Sequence, residues 1–110
     1  MTPPAVPAVG ATAPRTETVR AFFFVSAPAD PGLLPRLIEP VAKLGAVPSR
    51  VHASREAGDG TELTVDLRLA GVTPRTADLV ERALRAVVGV RQVMAVVEPE
   101  APIEAPCRLG

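Results

Sequence analysis

Val25-Ser26-Ala27-Pro28-Ala29-Asp30-Pro31-Gly32-Leu33-Leu34 leaves an apolar run, passes a proline-glycine turn and enters a stretch with helical spacing. Before it, Val19 to Ala27 is rich in Phe and Val, a continuous apolar run that suits a strand buried on both faces in the middle of a sheet. After it, from Gly32 to Leu44, the apolar positions Leu33, Leu34, Leu37, Ile38, Val41 and Leu44 follow the helical period, with Arg36, Glu39 and Lys43 on the other side. The stretch therefore reads as strand, turn and amphipathic helix. Asp30 is suited to accept hydrogen bonds at the helix start, and Pro31 to take the first helical position. Gly32 lets a small ligand approach the backbone. The free amides of a first helical turn attract carboxylates, so this turn is a candidate effector site. Pro40 is expected to kink or break the helix, with Pro35 also awkward within it, and Gly45 supplies the stop.

Further along, Val47, Ser49, Val51 and Ala53 alternate with Pro48, Arg50, His52 and Ser54, the period of a strand with its first set inward. Pro48 makes this an edge strand, because proline cannot donate to a ladder on both sides. After the turn Ala57-Gly58-Asp59-Gly60, Leu63, Val65, Leu67 and Leu69 alternate with Thr64, Asp66, Arg68 and Ala70, completing a hairpin. Thr73-Pro74 caps a second helix, whose expected buried stripe is Leu79, Val80, Ala83, Leu84, Val87 and Val88 up to Gly89. A last strand spans about Arg91 to Glu98.

The order strand, helix, strand, strand, helix, strand predicts an α+β, ferredoxin-like βαββαβ sandwich: a four-stranded antiparallel sheet with both helices on one face. The first and third strands are central in that topology, and the second and fourth are edges. If Ala21, Phe23 and Val25 face the helices, Phe22 and Phe24 face away beside Met94 and Val96. Those four residues form a candidate interface, rimmed by Arg50, His52, Thr64, Asp66 and Arg68. Such a patch on a small core predicts a homodimer or higher homo-oligomer.

Prolines crowd both ends of the 110 residues, so 1–18 and 99–110 are predicted to be disordered or flexible tails around a folded domain at 19–98. Twelve basic residues balance twelve acidic ones without forming a block, which argues against nucleic acid as a partner. No stretch approaches the ~20 apolar residues of a membrane helix, and no signal-like core follows Met1. Cys107 is the only cysteine, which rules out an internal disulfide and a thiolate metal cluster and leaves the cytoplasm as the expected compartment.

Catalysis needs a nucleophile with a nearby base, or paired acid and base groups. The one imidazole, His52, sits on the outward side of an edge strand, where a solvated or interface role is favoured over a base or metal ligand. No catalytic residue, metal ligand or cofactor site is expected. The third strand offers Thr64, Asp66 and Arg68 rather than base-stacking aromatics, which disfavours an RNA-recognition module. The first loop lacks the cysteines of a metal chaperone and the arginine of an acylphosphatase.

Taken in order, Asp30-Pro31-Gly32-Leu33-Leu34, Leu44-Gly45-Ala46-Val47-Pro48-Ser49, and Leu84 with Val88-Gly89-Val90 and Val93 resemble an ACT domain, in particular the short small subunit of acetolactate synthase. The resemblance covers about Val19 to Val97. It implies a non-catalytic regulatory subunit in branched-chain amino-acid biosynthesis, partnered by the thiamine-diphosphate-dependent large subunit. It also implies a small amino-acid effector held by Asp30, Pro31, Gly32 and Leu33, with Pro48 and Ser49 of a neighbouring subunit completing the pocket. The alternative is a free-standing ACT-like sensor or assembly domain with an unrelated partner.

Overall fold

A computed structural model of the chain describes residues 17–56 and 59–100. Its elements run β1 (Val19–Pro28), α1 (Leu33–Lys43), β2 (Arg50–Glu56), β3 (Glu62–Val72), α2 (Pro74–Arg85) and β4 (Gln92–Pro99). The strands form one antiparallel sheet in the order β2-β3-β1-β4, so β1 and β3 are central and β2 and β4 are edges. This is the expected βαββαβ arrangement.

The alternating side chains of the central strands build the core. Ala21, Phe23, Val25 and Ala27 of β1 interleave with Leu63, Val65, Leu67 and Leu69 of β3. Leu33, Leu37 and Val41 of α1 and Ala77, Val80 and Leu84 of α2 pack onto that layer. β1 is buried on one face only, since Phe22 is half-buried and Phe24 is 40% exposed. The Phe run is thus a half-buried strand, whose continuous apolarity hides a clean alternation.

α1 differs from the sequence expectation at both ends. It begins at Leu33 with Gly32 as its cap, so Asp30 is not the cap and Pro31 precedes the helix. Pro35 then falls in the first turn, where its missing amide takes no bond from the helix. Pro40 leaves the helix unbroken through Lys43. At the C-terminus the Ala46 amide reaches the Val41 carbonyl at 3.1 Å and the Gly45 amide the Ala42 carbonyl at 2.9 Å. Gly45 has φ +79°, the left-handed geometry that this paired termination requires.

β2 starts at Arg50, so Pro48 lies just before the edge strand rather than within it. Pro48 has no amide proton, and Ser49 makes the first connection to β3 through its amide to the Arg68 carbonyl, 2.8 Å. The expected inward set of β2 is not buried: Val47 is 84% and Val51 44% exposed, and Ser49 and Ala53 are exposed too. Among the described residues, the buried set comes from β1, β3, β4 and the helices, with none from β2.

β3 runs on to Val72 through a bulge. Val19 pairs with Val72 and Ala21 with Leu69, leaving one extra residue on β3, and Gly71 takes the φ of +67° that such a bulge needs. α2 is capped as expected, the Thr76 amide donating to the Thr73 hydroxyl at 3.1 Å with Pro74 in its first turn. It ends at Arg85, so Val88 lies beyond the helix and is 77% exposed instead of completing the stripe.

The pairing also reaches past 19–98. The Thr18 hydroxyl donates to the Glu100 carboxylate at 2.8 Å, and the Glu100 amide to the Thr18 carbonyl at 3.1 Å. Residues 1–16 and 101–110, which hold most of the predicted tails and Cys107, lie outside the described residues, as do Ala57 and Gly58 of the hairpin turn.

Candidate functional site

The turn after β1 is tied to the β2–β3 hairpin by the Ala29 amide, which donates to the Thr61 carbonyl at 2.9 Å. On the hairpin side, Asp59 accepts from the Thr61 hydroxyl at 2.8 Å and from the Thr61 amide at 3.2 Å. Those two bonds, the hydroxyl's first, hold the Asp59 carboxyl below its ordinary pKa. Arg55 Nε donates to the Gly60 carbonyl at 3.0 Å, fixing the Arg55 side chain across the hairpin end.

Between these pieces lies an open groove of about 400 Å³ lined by Ala29, Asp30, Pro31, Leu34, Arg55 and Leu63. Asp30 and Arg55 give it one anionic and one cationic group. Leu34 and Leu63 add apolar lining. A small molecule with both charges and a short apolar side chain matches that lining.

The six residues expected at an effector site are distributed as follows. Asp30 and Pro31 line the groove. Gly32 caps α1 with φ −86°, a conformation open to any residue, and Arg36 lies over it: a Cβ built there would meet Arg36 Nη2 at 3.1 Å. The Leu33 side chain is buried in the core, and its amide donates to the Asp30 carbonyl at 3.0 Å. Pro48 and Ser49 stand at the opposite end of the sheet. Ser49 meets Arg68, about 20 Å along β3 from Glu62 at ~3.3 Å per strand residue, whereas Glu62 pairs with Pro28 beside the groove.

Arg36 is exposed on the solvent side of α1, as expected, and there donates to the Asp30 carboxylate through Nη2 and to the Gly32 carbonyl through Nε at 3.0 Å. Sequence reasoning missed Arg55. It continues the odd-numbered register of Val51 and Ala53 and sits opposite Leu63, so a charge in an otherwise apolar row was the available signal.

The helix-free face carries Phe22, Phe24, Met94 and Val96 side by side, Phe22 opposite Val96 and Phe24 opposite Met94. Met94 is 55% and Val96 47% exposed. Arg68 lies 5.0 Å from the centre of the Phe22 ring and is held by a two-pronged pair with Asp66 at 3.0 and 3.1 Å. The Asp66 bond raises the Arg68 pKa, keeping its charge fixed. A second hollow of about 240 Å³, lined among others by Phe24, His52, Thr64 and Asp66, joins the apolar and polar halves of this face.

The sheet order and the two helices on one face define a ferredoxin-like α+β domain. More particularly, the chain belongs to the ACT-like domain family, whose sequence profile matches residues 14–101. Among solved structures, the chain is similar to the ACT domain from GTP pyrophosphokinase of Chlorobium tepidum at 17% identity and a TM-score of 0.60, over 74% of this chain and all of that one. An uncharacterized protein from Thermotoga maritima aligns at 14% identity and a TM-score of 0.59, over 76% of this chain and 98% of that one. The regulatory subunit of aspartate kinase from Thermus flavus aligns at 14% identity and a TM-score of 0.51, over 76% and 53%. No curated protein matches the chain.

Proposed function

We propose that the chain is a non-catalytic regulatory module that binds a small zwitterion, such as an amino acid, in the groove between Asp30 and Arg55 and so alters its engagement with a catalytic partner. The observation that carries this reading is a groove beside the first turn of α1 whose lining includes a carboxylate, a guanidinium and apolar side chains. A ligand carboxylate would meet the Arg55 guanidinium, and a ligand ammonium would share the Asp30 carboxylate with Arg36. Coupling to a partner requires only that the ligand favour one of two states, typically by about 1–3 kcal/mol.

Acetolactate synthase is the partner that the motifs around Asp30-Leu34 and Leu44-Ser49 put forward first. Its large subunit, assayed with and without this chain and with valine, leucine and isoleucine, tests that choice directly. A change in rate on adding the chain, altered further by one of the three, supports it. An indifferent synthase leaves the free-standing ACT-like sensor with a different partner as the reading.

A further inference from the structure

We infer that the hollow on the helix-free face is a second binding site, built for a neutral polyhydroxylated ring the size of one monosaccharide. This inference is independent of the amino-acid reading of the other groove.

The hollow follows from strand register. Ser26, Thr64 and Ser54 stand opposite one another across β1, β3 and β2, and Phe24, Asp66 and His52 form the next row on the same face. The two rows lie about 7 Å apart, two residues along each strand. Side chains stand roughly perpendicular to a sheet, so the short hydroxyl row makes the floor of the hollow and the taller row its wall. Its volume of about 240 Å³ falls below the ~300 Å³ at which sites for drug-sized ligands begin, which suits a single ring.

The wall is fixed before any ligand arrives. Arg68 lies over the Phe22 ring at 5.0 Å and grips Asp66 at 3.0 and 3.1 Å, which both orients the carboxylate and balances its charge. One Arg68 bond to each carboxylate oxygen leaves each with a lone pair for a further donor. With Asp66 balanced, the lining does not select for an ion.

The remaining polar groups both give and take. Thr64 Oγ1 donates to the Ser54 carbonyl at 3.4 Å, which leaves that hydroxyl oxygen able to accept. Among the described residues, the Ser26 hydroxyl and the His52 imidazole have no protein partner, and each can donate or accept. A ligand whose own groups do both matches them, as hydroxyls do and ammonium or carboxylate groups do not. Phe24, 40% exposed, supplies the apolar part of the wall, against which the C–H face of a sugar ring is buried while its hydroxyls reach Asp66 and the floor. A nucleobase is less suited, because β3 carries Asp66 and Arg68 where a stacking aromatic would stand.

The nitrogen-15-labelled full chain, titrated with D-glucose, D-galactose, D-mannose, D-ribose, myo-inositol and adenosine, tests the site by NMR. At least one sugar or the inositol should shift the amide resonances of Ser26, His52, Thr64 and Asp66 saturably and with millimolar affinity, leaving those of Asp30 and Arg55 unmoved. Thr64→Val keeps the side-chain shape and removes the hydroxyl, and Asp66→Asn removes the carboxylate. Each should weaken binding at least about tenfold with an unchanged circular dichroism spectrum. If Asp66→Asn fails to fold, Thr64→Val decides. Shifts that never saturate, saturation at Asp30 and Arg55 instead, affinity indifferent to both substitutions, or tighter binding of adenosine than of any polyol would overturn the proposal.

Discussion

Arg36 reaches back from the first turn of α1 to bind the Asp30 carboxylate, and its Nε donates to the Gly32 carbonyl at 3.0 Å. The aspartate expected to cap the helix is therefore held by a side chain from within it. Both partners remain about half exposed, at 43% and 53%. Solvent at such a site screens the charges, so the pair fixes where the carboxylate stands more than it stabilises the fold.

A double-mutant cycle with Asp30→Ala and Arg36→Ala should thus give a coupling energy under about 1 kcal/mol in urea denaturation, decreasing with added salt. A coupling of several kcal/mol would mean that the pair is far better shielded than its exposure indicates.

Phe23 and Phe24 are chain neighbours with opposite surroundings: Phe23 is fully buried, while Phe24 is 40% exposed on the helix-free face. Phe23→Ala should cost about 3–5 kcal/mol and leave little folded protein, because a domain this small has a thin margin. Phe24→Ala should cost far less. Equal losses in chemical denaturation would contradict the assigned faces of β1.

Thr73→Ala removes the hydroxyl that accepts from the Thr76 amide at the start of α2. The expected loss is about 1 kcal/mol, with Thr73→Ser recovering most of it. Thermal or urea melts of the three proteins check this.

The depressed Asp59 pKa gives a pH dependence with a definite sign. The charged carboxylate accepts both Thr61 bonds, so its contribution to the hairpin is present above the ordinary aspartate value of about 3.9 and is lost as pH falls through the lower folded value. A carboxyl-detected NMR titration should place the Asp59 midpoint below about 3.9, and Thr61→Val should move it upward. A midpoint at or above the ordinary value in the wild-type chain would remove the proposed turn bonds.

Where side-chain periodicity sets the structure, the sequence is legible. Leu63, Val65, Leu67 and Leu69 alternate, Leu33, Leu37 and Val41 follow a helical stripe, and Thr73-Pro74 marks a helix start, so element order, sheet order and the central strands can be read in advance. Period alone does not say whether a partner layer covers the inward face, which is why Val51 and Ala53 are exposed at the β2 edge despite their alternation. Nor does it locate the cap: Asp30 suits a helix start, yet Gly32 takes that place and Asp30 binds Arg36, six residues on.

The groove was half legible for a related reason. Asp30 and Pro31 belong to the turn and were visible as a local pattern, but Arg55 and Leu63 arrive from the hairpin through sheet register. A charged residue occupying the inward row of an edge strand is the kind of mismatch that marks such a site, since a core position would exclude it.

Ligand binding at that groove is most directly tested by isothermal titration of the full-length chain with a panel of small α-amino acids, run in parallel on Asp30→Asn and Arg55→Gln. One amino acid should bind saturably at one per chain, with affinity at least about tenfold weaker in each variant while both keep the wild-type circular dichroism spectrum. No heat from any member of the panel, or binding that neither substitution weakens, would contradict the assignment of the groove between Asp30 and Arg55 as the effector site.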